Sequence, residues 1–364
     1  MTPGFRWCPH CAQPHALSHR FCAATGLALD DAIHDTKATR ASRSKLAAFD
    51  TSPLVGTVLD GKYRVTRAIG SGGMGVVYEA DALALGRTVA VKVVRPRLSS
   101  RETVARLARE AKLAGAVRHP NICGVLDDGV LAGGEPYLVL EHLRGQLLSA
   151  WMRRIARPPI GAVVDIFTQV LAGLAAAHDA QIIHRDLKPE NIFLVDRPGS
   201  QGPGVKILDF GLARDLGALP AERITRPGVA CGTLQYMAPE QLSGNATGPC
   251  SDLFAVAVML YEAISGRHPF AATSRVELQV NILRSTPRPL SQRRSECSAQ
   301  LEAIVTQALS KEPAERQPNA RLMLAQLSAV GVPSDASDSD LDDSPPSSTM
   351  SGAMWVPAGS SPPS

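Results

Sequence analysis

Ile183-His184-Arg185-Asp186-Leu187-Lys188-Pro189-Glu190-Asn191 decides the reading of this chain, because it packs three chemically distinct side chains into one short loop. Asp186 is a carboxylate, basic enough to orient a hydroxyl. Lys188 is a compact positive charge. Asn191 offers an amide oxygen that ligates a hard cation without adding another full negative charge. A polar turn assembled by chance is the plain alternative. Downstream, Asp209-Phe210-Gly211 follows the apolar stretch Val205–Leu208, which reads as a strand, so a second carboxylate emerges at a strand end.

Upstream, Ile69–Val77 reads Ile-Gly-Ser-Gly-Gly-Met-Gly-Val-Val and places Gly70, Gly72 and Gly75 in a G-x-G-x-x-G-x-V pattern. Alone the pattern is weak. A dinucleotide-binding turn should open a helix, whereas Val76, Val77 and Tyr78 continue as a strand. Glycines let such a hairpin close over phosphates without Cβ clashes. Val89-Ala90-Val91-Lys92 then ends an alternating strand on a lysine, and Glu110 lies on the helix-like stretch Thr103–Val117, where Val104, Leu107, Ala111 and Ala114 recur at helical spacing. Lys92 and Glu110 together can form an ion pair, for which a bare surface salt bridge is the bland reading. Glu102 is the rival partner.

The order and separation of these motifs resemble the eukaryotic-like Ser/Thr protein kinases, also found in bacteria, from about Tyr63 to Val330. The resemblance implies an α+β fold of two lobes, a β-rich N-lobe and a helical C-lobe, with ATP and magnesium bound between them. It also assigns roles. Asp186 accepts the proton of the attacking hydroxyl, Lys188 steadies the transferring phosphoryl group, and Asn191 and Asp209 hold magnesium. Lys92, fixed by Glu110, grips the α- and β-phosphates; Glu110 is preferred to Glu102 because it sits just ahead of Arg118-His119-Pro120-Asn121-Ile122. Ile69, Gly70, Gly72, Gly75, Val77, Ala90, Lys92, Leu140, Glu141 and Leu143 are expected to line the nucleotide, with Glu141–Leu143 offering main-chain groups to adenine. Glu240, in Ala238-Pro239-Glu240, should pair with Arg316, and Asp252 is a structural anchor. His184 reads as a satisfied scaffold histidine. Lys188 after Asp186, and Gly232-Thr233-Leu234-Gln235-Tyr236 with Thr233 contacting Asp186 and Lys188, point to serine and threonine as acceptors. Thr225, flanked by Arg223 and Arg226, is the expected activating phosphosite, its phosphate meeting Arg185. One departure is visible: Leu253-Phe254-Ala255-Val256-Ala257-Val258 replaces the family's small residues, a matter of packing.

Composition agrees and adds boundaries. At 364 residues and 45% hydrophobic, the chain can bury a sizeable core and carry appended segments. A formal net charge of +4 gives no warrant for nucleic acid or a membrane as main partner. The start lacks a secretory signal, and the longest strongly apolar run, Leu253–Leu260, is too short for the roughly 30 Å of hydrocarbon, so no membrane span and a cytoplasmic location are expected. Residues 60–330 are read as the catalytic domain, 31–59 as a linker and 331–364 as a disordered Ser/Asp/Pro-rich tail. Residues 1–30 hold Cys8, Cys11 and Cys22, three of the seven cysteines, and resemble a zinc ribbon. Thr25 stands where a fourth cysteine would, so a closed zinc site needs His10, His15 or His19. A degenerate ribbon without metal is the other reading.

The expectation is thus an autophosphorylating Ser/Thr protein kinase in signal transduction, acting on protein substrates and meeting a regulatory protein through its N-terminal segment. A nucleotide-binding pseudokinase scaffold is the alternative. Intact Asp186, Asn191 and Asp209 argue against it, because a scaffold needs no proton acceptor. A small-molecule phosphotransferase is disfavoured by the full segment from Gly211 to Glu240.

Overall fold

The computed structural model describes residues 5–7, 14–16, 54–72, 75–94, 117–197, 199–200, 202–210 and 231–330. Cys8, Cys11, Cys22, Glu110 and Thr225 lie outside these residues, as do most of the helix read over 103–117, most of the linker and the tail. At the N-terminus, β1 (Phe5–Trp7) and β2 (Pro14–Ala16) pair antiparallel. The chain otherwise divides into two compact units.

The first unit is a six-stranded antiparallel sheet made of β3 (Val58–Leu59), β4 (Tyr63–Gly72), β5 (Gly75–Ala82), β6 (Arg87–Val94), β7 (Val125–Val130) and β8 (Pro136–Glu141), in the order β3-β4-β5-β6-β8-β7. Alternation in the sequence sets its two faces. Val65, Val76, Tyr78, Ala80, Val89, Val91, Tyr137 and Val139 pack into one core. Leu59 joins that core, so the last residues of the stretch read as linker belong to the sheet. Tyr63 of β4 donates to Asp127 of β7 at 2.8 Å, and Tyr137 of β8 donates to Asp60. Burial, followed by the Asp127 carboxylate, pushes the Tyr63 phenol up to about 12.

The second unit carries a small sheet of β9 (Gly145–Leu147), β10 (Ile192–Val195) and β11 (Gly204–Ile207), in the order β11-β10-β9. Around it stand α1 (Leu148–Arg154), α2 (Ile160–Asp179), α3 (Pro239–Leu242), α4 (Pro249–Ser265), α5 (Arg275–Arg284), α6 (Ala299–Ala308) and α7 (Ala320–Ser328). Helix α4 starts with Pro249 in its first turn and stops at Gly266, whose φ of 69° suits a left-handed cap. Its residues from Ser251 to Tyr261 are all buried, so it is apolar on every side because it is enclosed on every side. Within it Phe254 stacks on Phe270 with ring centroids 5.9 Å apart and with the Arg316 guanidinium 4.9 Å from its centroid.

Helix α2 is the longest helix among the described residues. By length and composition Ile160–Asp179 is long and apolar enough to cross a membrane. Asp165, Gln169 and two glycines interrupt its apolar residues, so it holds no long unbroken apolar run. Within the unit, Val163, Phe167, Val170, Leu171 and Leu174 are fully buried, as in the core helix of a globular domain.

Candidate functional site

The Ile183–Asn191 loop is held from beneath by one buried carboxylate. Asp252, near the start of α4 and 1% exposed, accepts from the main-chain N–H of His184 at 2.8 Å and of Arg185 at 2.9 Å. It also meets His178 Nε2 of α2 at 2.9 Å. These bonds fix a strained backbone, since Arg185 sits at φ 65°, where a side chain is costly. His184 is fully buried, its Nε2 2.8 Å from the Leu208 carbonyl and its ring 4.9 Å from that of Phe210. It is a scaffold group, as read from the sequence.

On that base the three polar side chains converge. Lys188 Nζ lies 2.7 Å from Asp186 Oδ2. Asn191 Nδ2 donates to the Asp186 carbonyl at 2.7 Å, which leaves Oδ1 as its atom for a cation. The next residue begins β10, and the register Ile192↔Ile207 places Asn191 beside the end of β11, where the Leu208 N–H donates to the Asn191 carbonyl at 2.8 Å. Asp209 follows at φ 57°, turned out of the strand by a backbone that β-sheet cannot continue. An amide oxygen and a carboxylate thus come from adjacent strand ends. That donor set suits magnesium, which takes one or two protein oxygens and leaves its other positions to phosphate and water.

Below the loop, Glu240 and Arg316 form the expected pair. Arg316 donates to both carboxylate oxygens at 2.8 Å and to the carbonyls of Ser310, Cys250 and Lys311, which uses all five of its N–H groups. Ser251 Oγ donates to the same carboxylate at 2.7 Å. Burial pushes the Glu240 carboxyl up, but the bonds from Arg316 and Ser251 outweigh it and hold it below the usual range.

In the first unit, one face of the sheet gathers the residues expected at the nucleotide. Directly paired residues share a face. Gly70↔Val77, Val77↔Lys92 and Lys92↔Leu138 make one row, and Glu79↔Ala90 and Ala90↔Leu140 make the next. Lys92 is 6% exposed. Leu138 completes its row and was missed by the sequence reading, since an apolar residue within an apolar strand carries no local signal. Gly75 has a second reason to be glycine: a Cβ there would collide with the Val93 carbonyl oxygen across β6, whereas one on Gly70 would meet open space. At the end of β8, the Glu141 N–H donates to the Gly124 carbonyl at 3.1 Å and its carboxylate accepts from the Gly124 N–H at 2.7 Å. Glu110 and the Thr233 side chain lie outside the described groups.

Comparison with known proteins agrees with this geometry. The profile of the protein kinase domain matches residues 63–326. The serine/threonine-protein kinase pkn3 of Myxococcus xanthus is 41% identical over 312 residues, 85% of this chain and 56% of that protein. The serine/threonine-protein kinase PknA of Mycobacterium tuberculosis is 37% identical over 270 residues, 73% of this chain and 60% of that protein. The chain therefore spans less than two thirds of either relative's length. Among solved structures, the PknI kinase domain of Mycobacterium tuberculosis superposes with a TM-score of 0.58 at 27% identity, covering 75% of this chain and 97% of that one.

Proposed function

We propose that this chain, which belongs to the protein kinase domain family, is a Ser/Thr protein kinase that transfers the γ-phosphoryl group of ATP to serine and threonine hydroxyls of proteins. The observation that carries the reading is the knot of Asp186, Lys188 and Asn191, tied to two loop N–H groups through Asp252. A carboxylate next to an ammonium group, both part-buried and held on a fixed backbone, is what positioning and charge stabilisation of phosphoryl transfer require.

In this reading Asp186 orients the incoming hydroxyl and accepts its proton. Lys188, 2.7 Å away, keeps positive charge where negative charge grows on the transferring oxygens. Asn191 Oδ1 and the Asp209 carboxylate are the oxygens that would hold magnesium, which when bound neutralises charge on the phosphate oxygens. Lys92 contacts the α- and β-phosphates, with Glu110 as its partner. Ala90, Val77, Leu138 and Leu140 give the base an apolar surface. Because the Glu141 N–H is committed to Gly124, the carbonyl of Glu141 and the main chain of Leu143 are assigned to adenine. Titrating nucleotide into wild type and Asp209→Ala, with and without magnesium, tests the metal assignment. The variant should lose the magnesium-dependent part of the affinity, and an unchanged magnesium effect would remove Asp209 from the site. Phosphoamino-acid analysis of labelled protein tests the acceptor class, and phosphotyrosine as the main product would refute it.

Three finer readings belong to the same proposal. Zinc bound by Cys8, Cys11 and Cys22, and a regulatory partner docking there, are supported by the C-x-x-C spacing. Phosphorylation of Thr225 as an activating switch is supported by its flanking arginines and by Arg185 beside Asp186; undiminished activity of Thr225→Ala would remove it. A cytoplasmic location is supported by the free thiols of Cys250 and Cys297 among the described residues.

A further inference from the structure

We propose that Glu79 is a positioning residue for the nucleotide, tying the connecting segment after β8, through His142, to the strand pair β4–β5 that roofs the nucleotide. The inference rests on the nucleotide-binding reading above, and its geometry lies wholly within the first unit. Arg67 grips the Glu79 carboxylate side-on, Nε to Oε1 at 3.0 Å and Nη2 to Oε2 at 2.7 Å. Thr66 Oγ1 adds a contact to Oε1 at 3.3 Å and one to the Glu79 carbonyl at 3.0 Å. A carboxylate clasped in this way cannot rotate about its terminal torsion. Its Oε2 is then presented to His142 Nε2, 3.1 Å away.

The register explains why these groups meet. Glu79 pairs with Ala90, and Ala90 pairs with Leu140, so three strands place them in one row on the face that also bears Lys92. Strand β6 contributes only a methyl group to that row. The carboxylate of Glu79 therefore has room to reach across it to His142, two residues beyond Leu140. His142 stands between Glu141 and Leu143, whose main chain is assigned to adenine. The contact thus joins the roof of the nucleotide surface to the segment that reads the base.

Exposure separates this role from plain stabilisation. Arg67 is 63% exposed, so its ion pair adds little to folding. Glu79 and His142 are only 19% and 18% exposed, and neither belongs to the hydrophobic core on the opposite face. Their contact is local to the nucleotide face, and loss of it should be felt as nucleotide affinity.

The experiment measures dissociation constants for Mg·ATP by calorimetry, beside KM and kcat, on the full chain. Glu79→Ala should weaken ATP binding about 5- to 20-fold, the scale of losing one charge-assisted hydrogen bond and its fixed geometry. The rate at saturating ATP should stay within about twofold. His142→Ala should match it, and the double variant should be no worse than either single change, because both remove one contact. The isosteric Glu79→Gln, which keeps an acceptor for His142, should recover part of the affinity and guards against misfolding of the alanine variant. If wild type binds ATP while both Glu79 variants bind within twofold of it, or if the two alanine effects simply add, the positioning role is overturned. Wild type that binds no ATP would overturn the kinase reading and this inference with it.

Discussion

Replacing Arg316 with methionine removes five hydrogen bonds from one place and leaves the Glu240 carboxylate, 6% exposed, with Ser251 as its remaining side-chain donor. Breaking a buried pair from one side costs about 3–5 kcal/mol, because the surviving charge keeps its desolvation penalty and loses its partner. For a domain of this size that is a fall in midpoint of roughly 6–20 °C. The assay is denaturant unfolding of wild type, Arg316→Met, Glu240→Gln and the double variant across pH. Because Glu240 has a depressed folded pKa, its stabilising contribution is present above the unfolded carboxylate pKa and is lost as pH falls through the folded value. The gap between wild type and Arg316→Met should therefore be widest near neutral pH and narrow in acid. The double variant should lose clearly less than the sum of the singles, since it leaves no orphaned charge. A single-variant loss under about 1 kcal/mol, or full additivity, would refute the argument.

Gly75→Ala should destabilise the first unit by about 1–3 kcal/mol through its collision with the Val93 carbonyl, while Gly70→Ala stays within about 0.5 kcal/mol; equal losses at the two sites, measured by thermal melts, would contradict this. Burial, with a smaller push from Arg316, lowers Lys311 to about 8, its ammonium 2.7 Å from the Ile282 carbonyl and over the Phe270 ring. The unfolded chain binds the extra proton between that value and the ordinary lysine range, so this residue makes stability rise with pH there. Lys311→Met should flatten the profile, and an unchanged slope would count against the assignment. Elemental analysis should find about one zinc per chain, lost in the triple Cys8, Cys11 and Cys22 to Ser variant with kinase activity retained; zinc-free wild type would end the ribbon reading.

Much of the first unit was legible because strands announce themselves by alternation. Gly75–Ala82 buries every second residue from Val76 to Ala82, and the same period fixes which face Lys92 shares with Val77. Helix α4 begins at Pro249, and the signal of its start is that proline and not an apolar residue. Helices α1, α5 and α7 announce themselves weakly in the sequence. Leu147, before α1, offers no side-chain cap, and the caps of α5 and α7, Ser274 and Asn319, sit in polar stretches that resemble loops. In the loop of Asp186 the residue types were plain from sequence. What holds them was only partly so: Asp252 could be called an anchor, but its three partners lie 67, 68 and 74 residues away. The contact between Glu79 and His142 was illegible for the same reason, since it depends on a register across three strands.

The central claim is tested most directly by Asp186→Asn in purified protein, with transfer of labelled phosphate from ATP to a protein acceptor as the readout. The change keeps the shape of the side chain and removes the proton acceptor, while the main-chain bonds to Asp252 and the Asn191 bond to the residue 186 carbonyl remain. The account predicts a fall in turnover of about a thousandfold or more with nucleotide affinity and folding preserved. Transfer within about tenfold of wild type would contradict it.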